Sequence, residues 1–322
     1  MLLVRGLDCV DGTPQMRYDA GRAIGHRLQG MLALGRGALV EAKTHLERSM
    51  SLADADRNSS STQIFGQNPL VHTQALLCQT LFCLGDVKAA LRIGREALMA
   101  VDELRHPHST AIALGYIGGN VFGYCGATQH LLRASRRMLA LCDQHDLPGF
   151  RPHALGFLGW GLTQAGELAE GVAMMESAAK GFDAMEYTLG VGAHLANLAD
   201  ALRRLGRLDD AKAVSARAID IVRNCGVSVW SEPEILRVDA LIKRDLGQDS
   251  RKGAADRLWR AAEDARRMGS PVFERRCLVS LIEVGRDPEI ERKAHERLGA
   301  LHHLDRLPAL VESIIADAHA PA

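Results

Sequence analysis

An apolar run that ends in glycine recurs along this chain at nearly constant intervals. Leu34-Gly35, Leu84-Gly85, Leu205-Gly206 and Leu246-Gly247 are the clear instances, and Cys125-Gly126, Ala165-Gly166 and Val284-Gly285 are variants of them. Successive glycines lie 50, 41, 40, 40, 41 and 38 residues apart. Repetition on this scale marks a solenoid, in which each unit buries its apolar face against its neighbours. Glycine is expected just past a helix end because it adopts the left-handed backbone conformation without steric cost.

Each glycine serves as a ruler. Seven residues before it stand Cys78, Gly119, Gly159, Ala199 and Ala240, all small. Five after it stand Ala90, Gly171 and Ala211, and twelve after it Ala97, Ala178 and Ala218. In the first and sixth units the pair falls two residues later, at Ala42/Ser49 and Ala254/Ala261. A separation of seven keeps both members on one helical face. Small side chains there let two antiparallel helices touch, while Leu77, Leu81, Leu91, Leu98, Leu198, Leu202 and Ile219 fill the ridges. The third unit breaks the rule with Leu131 and Met138, so its second helix is expected to stand farther out.

Hydrophobic residues are 47% of the chain and aromatics only 4%, so the apolar content is mainly Ala and Leu, which favour helices. The pattern resembles the tetratricopeptide repeat over residues 17–285, with a period near 40 rather than the family's usual length of about 34. The fold expected is all-α: a right-handed superhelical solenoid of six to seven antiparallel helix pairs. A simple Ala/Leu-rich bundle has no reason to keep a ruler. Residues 1–16 are expected to form an N-terminal extension. Residues 286–322 are expected to form capping helices and a tail, with Leu304–Ala316 closing the last face and Ala318–Ala322 frayed. Residues 54–70 interrupt the ruler. There Asn58–Thr62 reads as flexible, and Phe65-Gly66-Gln67 as an anchor on the second unit.

Charge and cysteine usage narrow the function classes. Basic and acidic residues balance at 39 each, which leaves no electrostatic footprint for direct nucleic-acid binding or an anionic membrane. The seven cysteines are odd in number and contain no C-x-x-C, so neither a disulfide framework nor structural zinc is expected. The apolar start contains Arg5 and is too short for a leader, and no apolar run approaches the roughly 18 residues of a membrane span. A cytoplasmic location is expected.

Two further segments carry a closer resemblance. Ile64-Phe65-Gly66-Gln67-Asn68-Pro69 runs into Leu81-Phe82-Cys83-Leu84-Gly85, and Glu103-Leu104-Arg105-His106-Pro107-His108-Ser109 follows. With the repeat length, these resemble the C-terminal helical-repeat region of large bacterial signalling proteins, which join a class III adenylate/guanylate cyclase domain to an AAA-type ATPase. Related repeats follow winged-helix domains in transcriptional regulators. The chain contains no G-x-x-x-x-G-K-[ST] phosphate loop and no strand-rich segment with paired aspartates. The resemblance therefore implies a regulatory scaffold without cyclase or ATPase activity, standing alone or descended from that C-terminal region.

Other candidate chemistry reduces to packing. The Gly115–Gly126 stretch is glycine-rich, yet it has no Lys and no preceding strand, and Gly119 falls on the small packing position and Gly126 on the turn. His302-His303 and His106-Pro107-His108 lack the helical spacing and carboxylate companion of a zinc site. No nucleophilic triad is readable, and no cofactor or metal is expected. What remains is a groove. In a stacked array the first helices line the concave side, and residues 13, 10, 6 and 3 before each glycine face it. Repeat two offers His72, Gln79 and Phe82; repeat three, Tyr116 and Asn120; repeat four, His153 and Trp160; repeat five, Asp200 and Arg203; repeat six, Arg237. These form the candidate site for a protein or peptide partner, aromatic and amide-bearing in its first half and charged in its second. A peptide with an apolar anchor and an acidic end suits that layout. The alternative is that Tyr116 and Trp160 belong to the core.

Overall fold

The computed structural model describes residues 14–53, 66–186, 190–226, 229–285 and 288–315. The extension before residue 14, the Asn58–Thr62 stretch with Phe65, and the tail after residue 315 lie outside the described residues. All regular structure among the described residues is helical. First helices are α1 (Pro14–Gly35), α3 (Pro69–Cys83), α5 (Pro107–Ala113), α8 (Arg151–Ala165), α10 (Val191–Arg204), α12 (Glu232–Asp245) and α14 (Pro271–Val284). In the third unit α5 continues through a π-helical stretch, Leu114–Val121, into the short α6 (Phe122–Tyr124). Second helices are α2 (Leu39–Ala53), α4 (Val87–Leu104), α7 (Thr128–His145), α9 (Leu168–Ala184), α11 (Leu208–Cys225), α13 (Arg251–Met268) and α15 (Pro288–Ala300), and α16 (Leu307–Ile315) ends the described chain.

Local chemistry starts and stops these helices. Asn68, Asp86 and Ser250 cap N-termini by accepting from Val71, Ala89 and Gly253 N–H groups. His106 caps α5 through Ser109 N–H, with Pro107 in the first turn. At the turns one backbone bond recurs: Ala38 N–H to Ala33, Asp86 to Leu81, Ala127 to Phe122, Glu167 to Leu162, Arg207 to Leu202 and Gln248 to Lys243, all at 2.9–3.0 Å. This is the helix-terminating bond expected when a left-handed residue follows the last turn. In the first unit that residue is Gly37 (φ 76°), while Gly35 is still helical. Counting from Gly37 puts Ala42 and Ser49 five and twelve residues on, so the first unit obeys the ruler after all.

The small positions face inward. Cys78, Ala90, Ala97, Ala178, Ala199, Ala211, Ala218, Ala240, Ala254 and Ala261 are buried. Between α8 and α9 the backbones themselves meet: a Cβ on Gly159 would lie 2.5 Å from the Gly171 carbonyl oxygen, and the reverse holds for Gly171. The third unit departs from expectation. Leu131 and Met138 are buried, and the facing helix makes the room: Gly118 abuts Ala134, and a Cβ at Gly115 would lie 3.7 Å from Met138 Cε. The glycine-rich stretch is thus a socket for the neighbouring elements, with Gly119 against the Phe157 ring and Gly123 against Trp160.

The superhelix closes on itself. A Cβ at Gly37 would meet Val229 Cγ1 at 3.2 Å and Met268 Cε at 3.3 Å, and one at Gly85 would meet Pro271 Cγ at 2.5 Å. The turns of the first two units therefore abut the sixth and seventh. One apolar core runs from Ala33 through the intervening units to Ile315. α16 does not close the last face as expected; it packs on α4, Pro308 lies against Gly126, and Glu312 reaches His130 Nδ1 at 3.2 Å. An aromatic cluster fills the interior at the turn end. Tyr124 meets Trp160 (centroids 4.9 Å) and Phe273 (5.2 Å) edge-on, Trp230 stands 6.0 Å from Phe273, and the Arg276 guanidinium lies 5.3 Å from the Tyr124 ring centroid.

Candidate functional site

On the other side of that aromatic cluster the first helices line a half-open cavity of about 260 Å³. α3 supplies His72, Leu76 and Gln79, one turn apart, and Gln67 stands just before that helix. α5 and the π-helical stretch supply His108, Ile112, Tyr116 and Asn120; His153 and Phe157 come from α8, and His194 from α10. Met31, Leu34 and Trp230 complete the wall where the first and sixth units approach. Widened π turns occur disproportionately at functional sites, and here one presents Tyr116 and Asn120 to the cavity.

Five of the ten expected groove residues meet here: His72, Gln79, Tyr116, Asn120 and His153. Asn120 Nδ2 donates to Gln79 Oε1 at 2.9 Å. His153 Nδ1 and His194 Nε2 are 3.1 Å apart, and the His194 ring lies 4.5 Å from Phe157 and 5.1 Å from Phe182. The His108 ring meets Phe150 edge-on at 4.8 Å. Burial pushes the His72 imidazole down to about 3, aided by Arg27 and His108, and pushes His153 down to about 4. His194 falls well below its ordinary value through burial and then through His153, and His108 is lowered by burial and then by His106. All four are therefore neutral at pH 7, each offering one donor and one acceptor nitrogen.

The other five expected residues stand elsewhere. Phe82 is buried at the end of α3, beside the turn that abuts Pro271. Trp160 is core, packed on Tyr124, so of the two readings of this residue the buried one holds. The charges of the second half are consumed internally. Arg203 donates to Asp200 at 3.0 Å and to Asp245 at 2.8 Å. Arg237, itself buried, holds Glu234 with two bonds of 2.8 and 2.9 Å and Ser280 with one of 2.9 Å, while Arg276 grips the same carboxylate at 2.7 and 2.9 Å. These groups brace α10, α12 and α14, away from the cavity, and Asp200 and Arg276 line a separate hollow beside Tyr124 and Trp160.

The ruler missed His108, His194, Gln67 and Arg27. Extrapolating backward from Gly126 crosses the π-helical stretch, whose wider turns shift the register, so His108 falls off the inward offsets. His194 lies 12 rather than 13 residues before Gly206. Arg27, Met31 and Leu34 stand 10, 6 and 3 before Gly37 and would have been found had that glycine been taken as the first turn.

A crystal structure of a Rap protein complexed with competence and sporulation factor matches the chain with a TM-score of 0.55 at 12% identity, over 97% of this chain and 76% of that one. The fold is that of a tetratricopeptide-type helical repeat. A signal transduction ATPase with numerous domains and a tetratricopeptide repeat sensor, from Pyrococcus horikoshii, matches with a TM-score of 0.43 at 13% identity, over 98% of this chain and 53% of that one. No protein-family model and no curated protein matches the sequence. Among the described residues of this helical repeat, no helix is long and apolar enough to cross a membrane.

Proposed function

We propose that the chain is a non-catalytic regulatory scaffold of bacterial signalling type that receives a short ligand, a peptide segment or smaller, inside its closed superhelix. The observation that carries this reading is the cavity, in which side chains from separate repeats converge on about 260 Å³. Ligand sites combine apolar walls with a few convergent polar groups; here Leu76, Ile112, Met138 and Phe157 provide the former, and the Gln79–Asn120 pair with the neutral imidazoles provides the latter. The volume is too small for a folded partner, so a partner protein would meet the outer helices and sense the ligand indirectly. The Rap protein complexed with competence and sporulation factor, which shares the fold, supports ligand reception by such a scaffold. The resemblance of the Ile64–Pro69 and Glu103–Ser109 segments supports a cytoplasmic signalling setting. The size of the cavity also favours a second reading from the same residues, the ligand-sensing half of a transcriptional regulator.

The test uses immobilised chain and a host extract, with low-mass compounds and peptides eluted and identified. The wild type should retain a ligand that Tyr116→Ala/Asn120→Ala loses, with the variant still cooperatively folded. Equal recovery by both proteins removes the cavity as the site. Trp160 is unsuitable for this experiment, because its substitution would test the core.

A further inference from the structure

Arg27 is a buried cation with no counter-ion among the described residues. Its side chain is 5% exposed, and among the described residues no carboxylate lies within ion-pair distance of it. Its neighbours are neutral. With the Gln67 carboxamide oriented to satisfy both of its ends, the oxygen accepts from both Arg27 terminal nitrogens at 3.2 Å and the nitrogen donates to His72 Nδ1 at 2.9 Å. Nη1 of Arg27 also stands 3.3 Å from His72 Nδ1. Nε has no hydrogen-bond partner among the described residues. Burying an unpaired guanidinium costs several kcal/mol in general, and the cation here lies one side chain behind Gln67 and His72, both of which line the cavity.

The cavity bounds the rest of the ligand. An apolar cavity of about 150 Å³ accommodates benzene, so about 260 Å³ takes a single ring with a short arm. The walls facing that volume are ring-bearing, with Tyr116, Phe150, Phe157 and Trp230 around it. Arginine matches a carboxylate with two parallel hydrogen bonds, a geometry that neutral groups do not reproduce.

We propose that the cavity binds a small aryl carboxylate, its ring between the aromatic walls and its carboxylate paired with Arg27 in the place now held by the Gln67 carboxamide. This rests on the reading of the cavity as a ligand site. Replacing a neutral contact by a charge-assisted pair corresponds to a preference for the acid over its amide of about 10- to 100-fold.

The probes are benzoate, phenylacetate and 3-phenylpropionate, each beside its carboxamide, titrated calorimetrically into the full chain. The tripeptide Ala-Ala-Phe, as free acid and as amide, forms a separate arm. The expected result is that at least one small acid binds about 10- to 100-fold tighter than its amide, and that Arg27→Met removes the preference while Arg27→Lys keeps part of it. Without ligand, Arg27→Met should melt no lower than wild type, because an uncompensated buried charge is gone. The acid–amide comparison on wild type needs no variant to fold. Equal affinity for acid and amide, or a preference unchanged in Arg27→Met, overturns the pairing while leaving the cavity as a site. Binding of the tripeptide acid with no small acid bound overturns the size assignment. Failure of every probe, together with unchanged recovery in the Tyr116→Ala/Asn120→Ala capture, overturns the cavity itself.

Discussion

Glu234→Gln is the substitution whose cost the structure specifies best. The carboxylate is 2% exposed and accepts four charge-assisted hydrogen bonds of 2.7–2.9 Å from Arg237 and Arg276. The two arginines hold the carboxyl well below the ordinary carboxylate range despite its burial. Glutamine keeps the shape but turns one acceptor into a donor facing a guanidinium, and it strands two cations near the interior. Breaking a buried pair by removing one partner costs about 3–5 kcal/mol, a large share of the roughly 5–15 kcal/mol that holds a domain together. For a chain of this size that corresponds to a fall in Tm of roughly 4–8 °C. Urea unfolding at pH 7, followed by tryptophan fluorescence, measures it, and Arg36→Ala serves as control because its ion pair with Glu41 is exposed and such pairs are worth about 0–1 kcal/mol. A depressed carboxylate contributes stability above its unfolded pKa and loses it as pH falls through the acid range, so the wild-type advantage should also shrink below about pH 4. A loss under about 1 kcal/mol at pH 7 would refute the claim that these charges brace α12 and α14.

Three further outcomes are expected. His72, His153 and His194 titrate lower when folded than when unfolded, so the unfolded chain binds more protons below about pH 6.5 and stability drops as pH falls, by at most about 1.4 kcal/mol per unit per group; urea titrations at pH 7 and 5 should show it, and equal stabilities would contradict neutral burial of these rings. Gly123→Ala forces a methyl into the Trp160 ring and should cost about 1–3 kcal/mol, read as a lower urea midpoint with unchanged slope. Gly159→Val should cost at least as much, because the obstacle is the Gly171 backbone rather than a yielding side chain; a neutral result would show that α8 and α9 slide apart freely.

The repeat was legible because its two requirements, a left-handed turn residue and small side chains at helix contacts, are written at fixed offsets. Ala90/Ala97, Gly171/Ala178 and Ala211/Ala218 needed no tertiary knowledge. The candidate site was legible in half. His72, Gln79, Tyr116, Asn120 and His153 follow from the inward face of a regular helix, whereas Phe82, Trp160 and Arg237 were lost to it because an open groove was assumed. Whether the groove is open depends on how far each repeat rotates relative to the last, and that angle is set by side-chain volumes such as Leu131 and Leu132 against Gly161, summed over the array. No local pattern encodes such a sum. Arg27 was missed for a smaller reason, since Leu34-Gly35 imitates the motif two residues before the true turn at Gly37.

The meeting of Gly85 with Pro271 and of Gly126 with Pro308 turns a linear array into a hoop. An open solenoid frays from its ends, each unit answering mainly to its neighbours. In a hoop the terminal units hold one another, so hydrogen exchange should be slow in the first and last helices as well as the middle ones. A guest against Met31, Leu34 and Trp230 would touch units from both ends of the array, so its binding should slow that exchange further.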